Sequence, residues 1–565
     1  MKGFTQPCGE PNGLEPMLWP EALLRRLNDT AAEETLLPMN EINKLLTEIH
    51  SRMDQYPAIP VCMFLFVLAL IFWHRKTKKA VATGIPYTAQ NTRNGLLSQV
   101  LYWWSPRDPL TIRDLLRSIA IFGASGSGKT SGSGYQLAKA IVGAGKKIGG
   151  IIFSSKPEDR DFWERIFKKA GRLRDLLVFS PDEPLRFDGL DSIQKSGGDT
   201  RDCTDSLMAM RDTVRQNRSG GGREGEDFWR EQEERTDYNG IEILRLARGR
   251  VTAPDLQRFI NGAALTPAAL NTPEWRAGFH NRCLETAYSN IRTSIQRHDY
   301  EVAAEFWLKE WPSMADKTRS SILAGVMGTL HVFNTGVVRE LMSTSTNVSP
   351  EVMDEGKWVL INMPISTYGA SGAAVIGMWK YLAQRHILKR HATENTPACV
   401  IWADEAQRVV NSFDSAYLAE CRSHRGCMVY LTQSIHAYYA RLRGDGGEHE
   451  TDALLTNFGG AKIFHAVGDD KTAAYASSLI GRRLTTHIGG STAPTDNAYD
   501  ELFGRSRFSA SFSQHVENVL ENREFMQGLR TGGEANGCMV DGIVVRSGEP
   551  FSNGEPWLKV AFSQK

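Results

Sequence analysis

The octet Gly123-Ala-Ser-Gly-Ser-Gly-Lys129-Thr130 directly follows the apolar run Ser118-Ile-Ala-Ile-Phe122. A strand feeding G-x-x-x-x-G-K-T and then a helix is the phosphate-binding P-loop in its required setting. Glycine lets successive backbone N–H groups turn inward around phosphate oxygens, where a side chain would block the approach. Gly123, Gly126 and Gly128 would shape the cradle, with Ser131 opening the helix behind it. Lys129 would reach the β- and γ-phosphates, and the Thr130 hydroxyl would ligate Mg²⁺. The expected ligands are ATP and Mg²⁺, held by an α/β P-loop fold.

Other apolar runs support such a sheet. Lys147–Phe153, Lys357–Asn362, Ala398–Ala403, Cys427–Thr432 and Ala461–Ala466 read as buried strands alternating with helices. That alternation argues for a predominantly parallel sheet covered on both faces. Between about 190 and 345 the chain is instead polar, Arg/Glu-rich and helical in period, as in Ile241-Glu-Ile-Leu-Arg-Leu-Ala247. This stretch is expected to be an all-helical insertion, with Ser219–Gly222 as a loop inside it.

A membrane span is expected near the N-terminus. Between Asp54 and His74 lie 19 residues without a charge. As a helix they would extend about 28 Å, close to one hydrocarbon core. Tyr56 and Trp73 sit at its ends, where amphipathic rings favour the interface. Arg75-Lys-Thr-Lys78-Lys79 follows, whereas residues 1–54 carry nine acidic and five basic side chains. The positive-inside rule then puts residues 1–54 outside the membrane and the large C-terminal body in the cytoplasm. The expected organisation is therefore an external tail to 54, a span over 55–74, and a linker over 75–117. A first nucleotide-binding part over 118–189, the insertion over 190–345 and a second nucleotide-binding part over 346–565 follow.

Composition bounds the partners. A net charge of +1 argues against a uniformly basic nucleic-acid coat but permits a local basic channel. The eight cysteines show no C-x-x-C pair or zinc spacing and read as reduced thiols.

The strand ending at Ala403 delivers Asp404 and Glu405, the Walker B arrangement. Asp404 would hold the Mg²⁺ shell and Glu405 would activate the attacking water. The next strand ends in Gln433, which could contact the γ-phosphate or simply begin a helix. Tyr438-Tyr439-Ala-Arg441-Leu-Arg443 combines aromatic and basic residues as single-strand binders do, but it reads first as an ordinary helix face.

These segments, in this order, resemble the type IV secretion coupling proteins, the membrane-anchored conjugation ATPases. The resemblance is carried by the P-loop, Asp227-Phe-Trp229, Trp-Ala-Asp404-Glu405, Glu420-Cys-Arg422-Ser-His-Arg425-Gly426 and Gly468-Asp469-Asp470-Lys-Thr472-Ala473. It implies a homo-hexameric ring of RecA-like motors that passes DNA with its relaxase, or protein cargo, to secretion-channel components. It also implies an arginine reaching a neighbouring subunit's nucleotide, matched best by Arg422 and next by Arg425. Two features depart from the family: one expected span where many relatives have two, and Ser154-Ser155-Lys156-Pro157 where relatives often carry an Asp. The alternatives are a receptor for secreted effector proteins, a membrane-anchored DNA pump outside secretion, and a scaffold whose ATP site only stabilises assembly.

Overall fold

The computed structural model describes residues 95–217, 226–442, 447–494 and 506–565. The expected span over 55–74, the external tail, the loop at 219–222 and Arg443 lie outside the described residues. Among the described residues no single helix is long and apolar enough to cross a membrane.

In chain order the strands are β1 (Val100–Ser105), β2 (Asp108–Thr111), β3 (Ile119–Phe122), β4 (Ile148–Phe153), β5 (Leu176–Phe179), β6 (Trp358–Ile361) and β7 (Ala398–Ala403). They continue with β8 (Gly426–Thr432), β9 (Ala461–Phe464), β10 (Arg482–Pro494), β11 (Ser506–Asn518), β12 (Met539–Val545) and β13 (Trp557–Ser563). Nine of them form one sheet in the order β13-β12-β9-β3-β8-β7-β4-β6-β5. From β9 to β5 every neighbouring pair is parallel. β12 and β13 extend the β9 edge in antiparallel register. The expected mixed α/β fold with a mainly parallel sheet is what forms.

The central strands are apolar throughout because both faces are covered. Every residue of β3, β4, β6, β7, β8 and β9 is buried. Alternate residues serve opposite cores, as the two-residue strand period demands. Ile119 and Ile121 of β3 join Leu137, Ile141, Trp163 and Phe167 from the helices Tyr135–Gly143 and Asp159–Lys169. Ala120 and Phe122 join the core that holds Met378 and Trp379 of the helix Ile365–Lys389. Each such large apolar side chain contributes about 1.5–3 kcal/mol by leaving water.

Between β5 and β6 the described chain is helical. Its helix Thr200–Gln216 lies close against Ile365–Lys389, where Gly377 allows the approach. A Cβ at Gly377 would sit 2.9 Å from Thr213 Oγ1 and 3.0 Å from Met210 Cα. Ion pairs tie Thr200–Gln216 to the next helix, Glu226–Arg248. Arg211–Asp237 is fully buried, Arg215–Glu233 spans 2.5 Å and Arg230–Asp212 spans 3.0 Å.

A second buried polar cluster locks the helix Ile365–Lys389 to the segment after β7. Lys380 Nζ donates to Asp414 Oδ2 at 2.7 Å and Gln384 Nε2 donates to Asp414 Oδ1 at 2.7 Å. The Tyr430 hydroxyl on β8 donates to the same carboxylate at 3.1 Å. The cysteines among the described residues are all free, matching the reduced-thiol reading for those positions.

Candidate nucleotide site

The C-terminal ends of β9, β3, β8 and β7 lie side by side in the parallel sheet, where open α/β folds bind ligands. The P-loop leaves β3 and is pinned on both sides. Gly123 N donates to Thr432 O at the end of β8 (3.2 Å), and Ala124 N donates to Ala466 O beyond β9 (2.8 Å). Gly126 and Gly128 adopt φ of +77° and +85°, a region that L side chains rarely enter. A Cβ at Gly128 would also sit 2.6 Å from Val540 Cγ2 of β12. The following helix opens with a wide turn, Gly134 N donating to Lys129 O at 2.8 Å. Such wide turns within helices are frequent at functional sites.

Crossovers then bring residues from the distant half of the chain to this loop. Lys129 Nζ, itself buried, donates to Glu405 Oε1 at 3.3 Å. Thr130 Oγ1 donates to Asp404 Oδ2 at 2.8 Å. Gln433 Nε2 donates to Glu405 Oε1 and Oε2 at 3.2 and 3.1 Å. Lys129, Thr130, Asp404, Glu405 and Gln433 therefore form one cluster. Ser131 lies at its exposed rim, where its hydroxyl accepts a bond from Gln564 Nε2 at 2.6 Å.

The two adjacent acids are driven apart electrostatically. Burial pushes the Asp404 carboxyl above the usual range, and repulsion from Asp159 and Glu405 adds to it, against Lys129 and the Thr130 hydroxyl. Burial acts in the same sense on Glu405. There the charge of Lys129 and the hydrogen bonds from Gln407, Gln433 and Lys129 outweigh it, so Glu405 is held below its usual value. Glu405 is thus held toward its ionised form, the state a base requires.

The loop chemistry suits a phosphate group. Ser127 Oγ is buried within the P-loop without a hydrogen-bond partner, and at Gly126 nothing lies within 4 Å of where a Cβ would stand. Thr130 and Asp404 supply the hydroxyl–carboxylate pair that a hard, oxygen-seeking cation prefers.

Arg422 is not part of this cluster. It is exposed in the turn before β8, so the whole length of Gly426–Thr432 separates it from Gln433. At about 3.3 Å per residue that is some 20 Å. Arg422 therefore stands at the opposite end of β8 from the Lys129–Glu405 cluster of its own chain. Arg425 stands at the same edge with φ +59° and donates to Thr393 O at 3.2 Å. Tyr438 is fully buried and Arg441 is bonded to Gln216 O, so those two residues serve packing, as the helix-face reading expects. At the end of β4, Ser154 Oγ donates to Ile361 O of β6 at 3.1 Å, and Ser155 is held by the nearby Asp159. Asp159 Oδ2 accepts from Ser155 N at 2.7 Å and Lys156 N at 3.0 Å.

Two residues at the site escape motif reading. Gln407 Nε2 donates to Glu405 Oε2 at 2.6 Å, while Gln407 Oε1 accepts from Thr432 Oγ1 at 3.0 Å. His465, just after β9, is fully buried behind the P-loop. Its Nδ1 lies 2.8 Å from Asp541 O, an acceptor only, so Nδ1 carries the proton. Nε2 then accepts from the Ser133 hydroxyl at 2.7 Å. An apolar strand ending in Phe464-His465 was the available signal, but a lone histidine has no motif.

Burial lowers the His465 pKa to about 4 from an ordinary 6.5. The unfolded chain binds this proton first, so the group's contribution is intact above pH 6.5 and is lost as pH falls toward 4. Between about pH 7 and pH 5 it should cost the native state roughly 2 kcal/mol. Urea unfolding at the two pH values is expected to show a shallower loss in His465→Gln than in the wild type by about that amount.

The family described as type IV secretory system conjugative DNA transfer matches residues 81–514. The chain belongs to this family. No curated protein sequence matches it. Among solved structures it resembles the bacterial conjugative coupling protein TrwBdeltaN70 in an unbound monoclinic form. The TM-score is 0.53 at 13% identity, covering 83% of this chain and 89% of that one. It also resembles TrwB in complex with the non-hydrolysable ATP analogue ADPNP, with TM-score 0.52, 13% identity and coverage of 84% and 91%. A third is TrwB in complex with ADP and Mg²⁺, with TM-score 0.50, 14% identity and coverage of 83% and 90%. At these identities the likeness establishes a shared fold.

Proposed function

We propose that this chain is an ATP-hydrolysing coupling protein. It recruits conjugative DNA with its relaxase and delivers it to a type IV secretion channel from the inner membrane. Family membership supports the conjugative setting. The nucleotide analogues and Mg²⁺ bound by TrwB support the choice of ATP and Mg²⁺. The observation that carries the enzymatic reading is the meeting of Lys129 with Glu405 and of Thr130 with Asp404, residues some 275 positions apart in sequence.

In this reading Gly123, Gly126, Gly128 and Ser131 frame the phosphates, and Lys129 leaves Glu405 to neutralise them. Thr130 and Asp404 would hold Mg²⁺, which would supply positive charge toward the phosphates. Glu405, freed and ionised, orients a water molecule and takes its proton. Gln433, already bonded to Glu405, senses the γ-phosphate. Arg422 acts across the subunit boundary of a homo-hexamer, a role supported by its exposed place at the far end of β8 from Gln433. Residues 55–74 anchor the ring and residues 190–345 form the helical insertion domain.

Steady-state ATPase of the full-length protein, with and without single- and double-stranded DNA, tests the proposal. The expected result is hydrolysis stimulated by DNA and abolished in Lys129→Ala and Glu405→Gln. Turnover indifferent to DNA in an assembled ring would overturn the DNA reading in favour of protein cargo. Activity that survives Lys129→Ala would overturn the site itself.

A further inference from the structure

Two polar arms leave Glu405 and converge on one helix terminus. In the first, Gln407 donates to Glu405 Oε2 at 2.6 Å and sits within the short turn Ala406–Arg408. The carbonyl of Arg408 accepts from Asn217 Nδ2 at 2.7 Å. Asn217 Nδ2 also donates to Thr213 O at 2.8 Å, so this side chain closes the C-terminal end of the helix Thr200–Gln216. In the second arm Gln433 donates to Glu405, and Ser434 caps the helix Ile435–Tyr439 by accepting from Ala437 N at 3.3 Å. Beyond that helix the Arg441 guanidinium donates to Gln216 O, one residue from Asn217.

The origin of both arms has a reason to move. Glu405 holds φ +50° and ψ +47°, a conformation that a non-glycine residue keeps only when its surroundings impose it. Its carboxylate faces Lys129, Gln407 and Gln433 together. When phosphate draws Lys129 away, Glu405 loses its cation and is left with the amides of Gln407 and Gln433 alone, so its side chain can shift together with theirs. The far end has a lever: Arg211–Asp237, Arg215–Glu233 and Arg230–Asp212 lock Thr200–Gln216 to Glu226–Arg248.

We propose that Gln407 and Asn217 are positioning residues that couple the contacts of Glu405 to the helical insert, so that filling the nucleotide site reorders the end of Thr200–Gln216 and the helix Glu226–Arg248. This rests on the nucleotide-binding reading above. A ligand shifts such an element only through contacts that differ between its two states, and the Lys129–Glu405 pair is that difference.

Hydrogen–deuterium exchange on the full-length protein in detergent tests it, with Mg²⁺ plus a slowly hydrolysed ATP analogue as the probe. In the wild type, nucleotide should slow exchange over residues 123–134 and change it about threefold or more over 207–217 and 226–240. Asn217→Ala and the equal-sized Asn217→Asp should keep the P-loop response and lose the response of the insert. Basal ATPase of both variants should stay within about twofold of wild type, a result that a misfolded variant would not give. An insert response that persists in both variants overturns the coupling. So does its absence from a wild-type protein whose P-loop is protected. An unprotected P-loop would instead overturn the nucleotide reading, and the coupling with it.

Discussion

Glu405→Gln is expected to lower kcat by about 10²–10⁴-fold, the usual worth of a positioned general base, without loss of nucleotide binding. The substitution is close to isosteric and keeps an oxygen toward the amides of Gln407 and Gln433. It removes the charge that engages Lys129 at 3.3 Å in the free site. Lys129 then reaches phosphate without first giving up an ion pair, so affinity should hold or rise. Single-turnover hydrolysis beside binding of a fluorescent ATP analogue separates the two effects. If hydrolysis falls less than about tenfold, Glu405 is not the base. Lys129→Ala should show the opposite pattern, losing affinity together with turnover.

The second large effect concerns stability. Lys380→Met should destabilise the fold by about 3–5 kcal/mol, because it leaves Asp414 charged and buried without its cation. Both side chains are completely shielded from solvent. Burial alone lowers the Lys380 pKa, and Asp414 is what opposes it. The neutral donors Gln384, Tyr430 and Asn411 N remain around the carboxylate, but hydrogen bonds do not cancel a buried charge. In Lys380→Met/Asp414→Leu the unpaired charge disappears, so the double variant should recover much of the loss. Chemical denaturation of Lys380→Met, Asp414→Leu and the double variant, read as a double-mutant cycle, decides the matter. Equal instability of the single and double variants would mean that packing, rather than charge, dominates there.

Much of the sheet was legible because each central strand is buried on both faces and so must be continuously apolar. Ala398–Ala403 was read with the boundaries it adopts, and Cys427–Thr432 began one residue late. β5 was missed because it lies at the sheet edge with its two middle residues half-buried, which weakens the apolar signal. β12 carries Asp541-Gly542 in its middle, and β13 alternates toward solvent with Lys559. Neither resembles the central strands, yet Val540 of β12 packs directly on Gly128 and Gly132.

The candidate site divides along the same line. The P-loop is a local object: the positive φ of Gly126 and Gly128 and the spacing to Lys129 and Thr130 are properties of consecutive residues, so sequence alone determined them. Asp404 and Glu405 were legible because an apolar strand visibly delivers them. Gln407, His465 and Asn217 carry no such mark. Their roles come from which strand ends become neighbours, and β3 is flanked by β8 and β9, strands that begin some 300 residues later in the chain. Parallel pairing needs long crossovers, so adjacency at the strand ends is a property of the assembled sheet. Local steric rules decide the conformation of consecutive residues, whereas the pairing of Lys129 with Glu405, and the reach of both arms to Asn217, exist only once the whole sheet has closed.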